Sequence, residues 1–390
     1  MTLDEHKITR IESFTFRREF PRYMGNNAKV GPHGKTGIEK IRRIHSNQGA
    51  IGIGRSSAPD ESIYCFIGCS VGDLFDPAIG TVVEAGFLDA PLHDLAGQIL
   101  EQPVWKMMGA RAGNSIEVYT GGIYFDDLDP QDSPRGIDAV LEACQQDFNA
   151  GHAHFKLKIG RGFKFMETAR GDQRDIDITR AVRDAFPNSK ILIDANDGYT
   201  LERFRNYFEV VSDCEIYWVE EPFLETVYDL KALRAFLKDI SPQTLIADFE
   251  NRNGRNEKPP APFGRWRADH LEELYKLGCD GLIDVALMDV GSMGLTAWRK
   301  VMPLLEANGI KGSPHAWDAP LKTIYAAQVN CGLGNGEIVE GVPGFVQGVD
   351  TSAYTLKNGI LTLPNLPGFG MSIDESQVLE YSDTHSRIKR

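Results

Sequence analysis

From about residue 115 onward, short β-rich runs alternate with amphipathic helical stretches. Eight such runs can be read, which are IEVYTGG, HFKLKIG, ILIDAN, IYWVEEP, TLIADFE, GLIDVALMD, GIKGSPHAW and EIVEGV. Strands that alternate with helices form a parallel sheet, because each helix returns the chain to the starting edge of the next strand. Eight units of this kind predict a closed (β/α)8-type barrel, which takes about 250 residues.

A second module accounts for the rest of the 390 residues. Residues 8 to 70 mix β-like stretches with the glycine-rich, basic segment RYMGNNAKVGPHGKTG, which predicts a mobile loop. A helical pattern then runs as far as Gly109. We predict a first domain over residues 1–114, the barrel over 115–350, and a C-terminal segment over 351–390 that rejoins the first domain.

The composition excludes several classes of partner. The formal net charge is -13, which argues against a nucleic acid, because phosphate binding depends on lysine and arginine. The six cysteines are scattered without metal-site spacing, which favours a reducing cytoplasm. No apolar run is long enough to span a bilayer, and the first residues lack the apolar region of a signal peptide. We therefore expect a cytoplasmic protein that acts on a small molecule.

Three acidic residues end successive predicted strands. They are Asp194, Glu220 and Glu250, which are 26 and 30 residues apart, about one βα unit each. The carboxyl ends of barrel strands meet on one face, so these side chains can converge. Their mutual repulsion would be relieved by a hard cation with oxygen ligands, and Mg²⁺ is the expected metal, with Mn²⁺ as the alternative. Taken singly, each acid is equally compatible with a helix cap or a solvated loop.

The run HFKLKIG carries two lysines. Lys156 and Lys158 are two residues apart, so both side chains lie on the same side of the strand. Two ammonium groups close together disfavour each other's charge, which is expected to lower one pKa from about 10.4 toward about 7 to 8. An amine with that pKa can act as a base. The alternative is a pair of lysines whose charged ends reach solvent at the strand end.

The last strands supply a second proton-transfer group. Asp289 ends one run, and His315 lies near the end of the next run, 26 residues later. An aspartate that accepts from one ring nitrogen orients the imidazole and raises its basicity. Glu340 ends the eighth run and could donate a proton or hydrogen bond to a developing oxyanion if burial keeps it protonated.

These motifs together resemble the enolase superfamily, specifically its mandelate racemase and muconate lactonizing enzyme family. The resemblance covers most of the chain and is carried by motifs in order, which are LDAPLHDLAGQILEQPVWKMMGAR, KLKIG, DANDGY, WVEEP, FEN, the Asp289 and His315 pair, and LPNLPGFG. Enolase-superfamily sites use a Lys or His base with one or two Mg²⁺ ions. The resemblance implies an α+β cap, built from both chain ends, over a (β/α)7β barrel, and it also implies a homo-oligomer.

The resemblance also implies a role for each site residue. It makes Asp194, Glu220 and Glu250 the metal ligands. It makes Lys158 the base on one face of the substrate, with Lys156 as its electrostatic partner. His315, supported by Asp289, would act on the opposite face, and Glu340 would be the proton-donating electrophile. Asn196 is expected to contact the substrate or to organise the site, and the cap loop from Tyr23 to Gly37 is expected to shape the substrate pocket.

Two features depart from the family pattern. The strand end reads ADFE where many relatives have a glycine before the ligand, which leaves Asp248 as an alternative to Glu250. The following loop, residues 252–267, is long, and its basic side chains would recognise a second carboxylate or a polyol, or form a solvated surface. These side chains are Arg252, Arg255, Lys258, Arg265 and Arg267.

An enediolate formed next to a carboxylate can proceed in three ways. Loss of a β-hydroxyl with His315 as general acid makes a dehydratase, and the sequence favours a dehydratase of sugar acids (aldonates or aldarates). Reprotonation on the other face makes a racemase or epimerase, which is the alternative, and collapse onto an internal electrophile makes a cycloisomerase. A dipeptide epimerase fits less well, because the sixth strand offers Asp289 and no lysine. A non-catalytic metal-binding barrel would be expected to lose a base, and both are present here.

Overall fold

The computed structural model describes residues 2–250 and 268–383. The first part of the chain forms mainly antiparallel strands and short helices. In chain order these elements are β1 (Ile8–Met24), β2 (Gly34–Ser46), β3 (Ile51–Arg55), α1 (Val71–Leu74), β4 (Phe75–Asp76), β5 (Gly80–Thr81), α2 (Asp89–Ile99) and α3 (Val104–Met107). We call this part of the molecule, with the C-terminal strands that pair with it, the cap.

Strands and helices then alternate regularly. In chain order they are β6 (Ser115–Ile123), α4 (Ile137–Asn149), β7 (His154–Lys158), α5 (Thr168–Ala185), β8 (Ile191–Asp194), α6 (Leu201–Val211), β9 (Ile216–Glu220), α7 (Val227–Ile240), β10 (Leu245–Asp248), α8 (Ala268–Cys279), β11 (Val285–Ala286), α9 (Val290–Ala307), β12 (Lys311–Gly312), α10 (Pro320–Leu333) and β13 (Val339–Gly341). Each of the eight predicted runs overlaps one of the strands β6 to β13, so the predicted strand positions are confirmed.

Strands β6 to β13 belong to one parallel sheet. Hydrogen-bonded neighbours follow the order β12-β11-β10-β9-β8-β7-β6, and β13 pairs with β6. An isolated parallel bridge joins Gly312 to Gly336, just before β13. The fold is therefore a mixed α/β fold with a parallel main sheet, in agreement with the alternation of strands and helices in the sequence.

The C-terminal strands join both sheets. They are β14 (Phe345–Val346), β15 (Val349–Asp350), β16 (Thr355–Lys357), β17 (Ile360–Thr362), β18 (Ser372–Ile373) and β19 (Glu380–Asp383). Both β14 and β19 pair antiparallel with β1, so the cap sheet is built from both ends of the chain. In contrast, β17 pairs antiparallel with β6, so the segment expected to complete the cap also extends the main sheet.

Helix caps follow the strand ends closely. The Thr200 hydroxyl accepts from the backbone N–H of Arg203 at 3.3 Å and starts α6 soon after β8. Thr226 and Asp229 form a reciprocal capping box that starts α7 soon after β9. A capping side chain accepts from helical N–H groups that have no partner within the helix. Each cap therefore fixes the residue at which its helix begins. The acidic strand ends are thus followed by short, well-defined turns.

The structure refines two local predictions in the cap. The segment predicted as a loop, residues 22–37, contains the connection between β1 and β2, residues 25–33, and its two ends belong to these strands. Residues 24–28 are buried, and Gly25 donates its N–H to Asp126, just after β6, at 3.1 Å. The helical pattern predicted as far as Gly109 forms separate helices, with a break between α2 and α3, since Pro103 cannot donate an interior helical hydrogen bond.

A separate apolar cluster lies among the parallel strands. Tyr119 from β6 and Trp218 from β9 meet edge to face with ring centroids 5.2 Å apart. The cluster unites side chains from strands far apart in the sheet order, which are Tyr119, Leu192, Trp218, Ala247, Val285, Leu287 and Ile338.

Across residues 2–250 and 268–383, none of the helices combines the length and the apolar character that a membrane crossing requires.

Candidate active site

Three carboxylates meet at the ends of the parallel strands. Asp194 and Glu220 are the last residues of β8 and β9 and are paired in register, and Glu250 lies two residues beyond β10. One oxygen from each of the three side chains lies within 4.8 Å of the others. Parallel pairing in register places strand ends at one level, so their side chains converge on the same point.

This donor set fits a divalent metal ion. Burial, followed by the negative charge of Asp194, raises the pKa of Glu220 well above its usual range, while Lys156 acts in the opposite direction. The acids therefore repel one another despite the neighbouring ammonium group. Carboxylate oxygens are the ligands that Mg²⁺ and Mn²⁺ prefer, and a cation among them removes the repulsion. The residues present fit the expected metal.

Glu250, rather than Asp248, completes the cluster among the described residues. The Asp248 carboxylate accepts the backbone N–H of Phe249 at 2.5 Å. Phe249 has a φ of 83°, in the left-handed region that disfavours residues with a side chain. This backbone turn explains why a glycine is expected before the ligand, and it shows that a phenylalanine can hold the same turn when its side chain is buried.

The two lysines of β7 approach the cluster from the same side of the strand. Lys156 Nζ lies 2.9 Å from Glu220, 3.0 Å from Glu340 and 3.6 Å from Asp194. Lys158 forms an ion pair with Asp194. Without a cation at the cluster, the pKa of Lys158 is raised and not lowered. Burial and Lys156 act to lower it, but the carboxylates of Asp194, Glu250 and Glu220 together raise it.

His315 reaches the cluster from the other side. Its Nδ1 lies 3.0 Å from Asp289, and its Nε2 lies 3.3 Å from Glu250 and 3.5 Å from Glu340. Asp289 also accepts the N–H of Ser292 at 2.8 Å as the cap of α9, which holds its carboxylate in place. Burial acts to lower the pKa of His315, but Glu250, Glu340 and Asp289 raise it. The imidazole is thus poised to hold a proton.

Glu340 accepts hydrogen bonds instead of donating them. Its carboxylate accepts the backbone N–H groups of Ala316 at 2.7 Å and Trp317 at 2.9 Å. Burial acts to raise its pKa, but Lys156, His315 and the backbone N–H of Ala316 together lower the pKa to about 2. The expectation that burial keeps Glu340 protonated was therefore wrong, because two positive groups face it. Glu340 anchors the segment that carries His315.

The structure places the two remaining predicted residues, Asn196 and Tyr23, in different parts of the molecule. The backbone N–H of Asn196 donates to Asp194 at 2.9 Å, and the residue is 7% exposed. Tyr23 is 51% exposed and lines a different cavity of about 890 Å³ with Arg22 and Asp126. No other predicted site residue lines that cavity. Tyr23 belongs to the end of β1. The predicted basic loop, residues 252–267, lies outside the described residues.

Several residues at the site were missed by the sequence interpretation. Lys322 Nζ lies 2.7 Å from Asp289, on the oxygen that also faces His315. The Tyr124 ring lies 5.5 Å from Lys158 Nζ and 4.8 Å from the Trp317 ring. Tyr124 directly follows β6, and Trp317 is two residues after His315, so their positions near strand ends were available signals.

Comparison with known proteins identifies the class of this chain. Residues 139–257 and 267–377 match the family described as enolase C-terminal domain-like, which is more than half of the chain. The chain belongs to the enolase superfamily, in its mandelate racemase and muconate lactonizing enzyme family.

Three similar proteins illustrate the range of this family. The structure of galacturonate dehydratase from Geobacillus sp., complexed with D-galacturonate and 5-keto-4-deoxy-D-galacturonate, is 29% identical, with a TM-score of 0.86 over 98% of this chain and 100% of that one. A mandelate racemase/muconate lactonizing protein from Geobacillus sp. Y412MC10, complexed with magnesium and tartrate, is 29% identical, with a TM-score of 0.85 over 99% and 96%. D-galactarolactone cycloisomerase from Agrobacterium fabrum is 24% identical over 84% of this chain and 81% of its own length.

Proposed function

We propose that this chain is a Mg²⁺-dependent sugar-acid dehydratase, which removes the proton next to a substrate carboxylate and then eliminates the β-hydroxyl. One observation carries the proposal. The carboxylate cluster lies between two proton-transfer groups, with Lys158 on Asp194 and His315 on Glu250. A substrate carboxylate held at the cluster would therefore have one group on each side of its α-carbon.

The scaffold we propose is a closed (β/α)7β barrel under the cap. The bridge from Gly312 to Gly336 supports closure, because it links β12 to the segment that leads into β13. The apolar cluster around Tyr119 and Trp218 supports it as well, because it joins a side chain of β6 to side chains of β8 to β11, and side chains fill the interior of such barrels. The domain boundaries, a homo-oligomeric assembly and a cytoplasmic location stay predictions from the sequence.

The metal ligands and the two lysines have separate roles in the proposed proton abstraction. A divalent cation bound by Asp194, Glu220 and Glu250 would polarise the substrate carboxylate and would offset the charge of Asp194, so that Lys158 can lose its proton. Lys158 then takes the α-proton. Lys156 supplies fixed positive charge on the same side of the cluster.

His315 completes the elimination. Protonated His315 gives its proton to the β-hydroxyl, which leaves as water, and the enol that remains becomes a 2-keto-3-deoxy acid. Asp289 holds the imidazole with Nε2 toward the cluster. Glu340 places the His315 segment through two backbone N–H groups.

The similarity to galacturonate dehydratase favours dehydration over racemisation. Asp289 holds His315 with Nε2 toward the cluster, where a protonated imidazole can act as the acid for a leaving hydroxyl. A racemase or epimerase is the second candidate, because groups on both sides of the cluster would also allow reprotonation on the opposite face.

The test uses purified protein with Mg²⁺ in deuterated water. A library of aldonic, aldaric and uronic acids is supplied, with hydroxy acids and dipeptides as further classes. Formation of a keto-deoxy acid from a sugar acid supports the dehydratase. Deuterium at the α-carbon without elimination supports the racemase or epimerase. Absence of both reactions throughout the library contradicts an enzyme of either kind. Lys158→Ala is the matched negative control.

A further inference from the structure

Glu220, one of the three proposed metal ligands, is held by two hydrogen-bond donors. Its Oε1 accepts from Lys156 Nζ at 2.9 Å, and its Oε2 accepts from Trp218 Nε1 at 3.1 Å. The lysine belongs to the proposed chemistry, whereas the tryptophan has no part in it. An indole nitrogen is a donor only, so it cannot bind a metal ion itself. Trp218 thus contacts a metal ligand without being one.

Trp218 reaches Glu220 because the two residues lie two positions apart on β9. Side chains at this spacing lie on the same side of a strand. Both residues are buried, Trp218 with 0% and Glu220 with 1% of its surface exposed. No bulk solvent therefore competes for this hydrogen bond, and the indole N–H holds Oε2 in one direction.

Packing fixes the direction of the indole. The Tyr119 ring meets the Trp218 ring edge to face, at an interplanar angle of 82°. The centroid of the same Tyr119 ring lies 5.5 Å from Lys156 Nζ, so one aromatic ring contacts both donors to Glu220. Strands β6, β8, β10 and β11 all contribute to the apolar cluster that contains Trp218. A large ring enclosed in this way has little room to change rotamer, because protein interiors are closely packed.

The two donors have different consequences for a metal ion. Lys156 Nζ lies 3.0 Å from Glu340 and 3.6 Å from Asp194, so its ammonium group attracts every carboxylate oxygen near it. Without the indole N–H, both oxygens of Glu220 would be free to turn toward this ammonium group and away from Glu250. Loss of an outer contact that orients a metal ligand typically weakens metal binding by about 10- to 100-fold.

We propose that Trp218 is a positioning residue of the metal site, whose indole N–H holds Glu220 in the orientation that binds Mg²⁺ and thereby sets the affinity for the ion. The proposal rests on the proposed Mg²⁺-dependent function and adds to it a residue that contacts neither the metal nor the reacting atoms. Its effect falls on the metal affinity of the substrate-free protein, which can be measured for any substrate class.

The first test measures the Kd for Mg²⁺ by isothermal titration calorimetry without substrate. Trp218→Phe keeps an aromatic ring beside Tyr119 and removes the N–H, and we expect the Kd to rise about tenfold. Trp298→Phe is the matched control, because Trp298 on α9 is equally buried and its Nε1 has no hydrogen-bond partner among the described residues. This control should leave the Kd unchanged. An unchanged or lower Kd in folded Trp218→Phe overturns the proposal.

The second test separates the hydrogen bond from packing. Histidine Nε2 occupies the same position in its five-membered ring as tryptophan Nε1, so Trp218→His keeps a donor for Glu220 and loses the six-membered ring. The free energy of unfolding in EDTA should fall further in Trp218→His than in Trp218→Phe, because histidine leaves the larger cavity. The Kd for Mg²⁺ should follow the opposite order, with Trp218→His closer to the wild-type value.

The outcomes separate the role of Trp218 from the metal-dependent function. If the wild-type protein does not bind Mg²⁺, both fail, whereas unchanged binding in Trp218→Phe removes the role of Trp218 alone. Binding in Trp218→His that is as weak as in Trp218→Phe, or weaker, would mean that Trp218 acts by packing, and the proposal fails. A cooperative unfolding transition in EDTA identifies the variants that fold. Where Trp218→Phe does not fold, Trp218→His decides, because a Kd near the wild-type value supports the proposal and a rise of about tenfold contradicts it.

Discussion

The two sides of the carboxylate cluster are built differently. Lys158 is 5% exposed and is paired with Asp194, which is itself one of the proposed metal ligands. The His315 side chain is 11% exposed and is held by Asp289, which is outside the cluster. The protonation of Lys158 therefore depends directly on the metal centre, whereas the orientation of His315 has an independent support. The two proton transfers should respond differently to the same kind of perturbation.

Removal of the metal should disable both sides at once. Chelation with EDTA is expected to abolish turnover, because the substrate carboxylate and Lys158 both depend on charge at the cluster. Mg²⁺ at about 100 times its Kd should raise the free energy of unfolding by about 2.7 kcal/mol, since it binds only the folded protein. Turnover assays and denaturant unfolding with and without Mg²⁺ measure the two effects.

The matched control for metal removal is Asp194→Asn. This variant should show little stabilisation by Mg²⁺, because one of the three carboxylates is lost. Full turnover in EDTA would contradict the metal-dependent mechanism on both sides of the cluster.

Substitution of the proton-transfer residues should separate the two sides. Lys158→Ala and His315→Asn are each expected to lower kcat by roughly 10²- to 10⁴-fold, the usual contribution of general acid–base catalysis. Lys158→Ala should also abolish deuterium incorporation at the α-carbon, whereas His315→Asn should retain it. Mass spectrometry of the recovered substrate measures this difference.

Mg²⁺ binding serves as the control for both variants and should persist in each. Full activity in either variant would exclude that residue from the mechanism. Loss of α-deuteration in His315→Asn would show that the two sides are not independent.

Lys322→Met tests the separate support of His315. Lys322 Nζ lies 2.7 Å from Asp289 and donates to the backbone oxygen of Trp317 at 2.7 Å. Without this ammonium, Asp289 loses a partner that holds it, and we expect kcat for dehydration to fall about tenfold, as for other supporting contacts. Stopped assays of product formation measure the reaction that needs His315, and α-deuteration of the recovered substrate measures the proton transfer at Lys158.

Lys322→Arg preserves the charge and is the matched control, with an expected kcat between those of wild type and Lys322→Met. An equal loss of α-deuteration and dehydration in Lys322→Met would mean that Lys322 supports the whole site and not the His315 side alone.

Phe249→Gly probes the turn that brings Glu250 toward His315. Glycine relieves the left-handed φ of 83°, worth about 1 kcal/mol, but leaves a cavity in place of a fully buried phenylalanine, at about 3 kcal/mol. We expect a net loss of about 2 kcal/mol in the free energy of unfolding, measured by chemical denaturation.

Phe249→Leu keeps the strained turn and leaves a smaller cavity, so it separates the two contributions. A net gain in stability for Phe249→Gly would show that strain outweighs packing at this position.

The sequence by itself determined the order of strands and the positions of the three acids. The alternation of β-rich runs with helical patterns is encoded in short stretches of sequence. The position of a residue at the end of a strand can therefore be read without knowledge of its contacts with distant residues. The pairing of His315 with Asp289 was predictable for the same reason, since both end neighbouring strands. The positions of Lys156 and Lys158 on one side of β7 followed from the two-residue period of a strand.

Only the tertiary structure decided the charges of these groups and the residues of the cap that meet them. The pKa values of Lys158 and Glu340 depend on charges brought together from other strands, so the sequence could not predict their direction. His33 touches Trp317 across 284 positions in the chain, while Tyr23, ten residues before His33, faces another cavity. Contacts between segments this distant leave no periodic signal, because they arise only when the cap packs on the parallel strands.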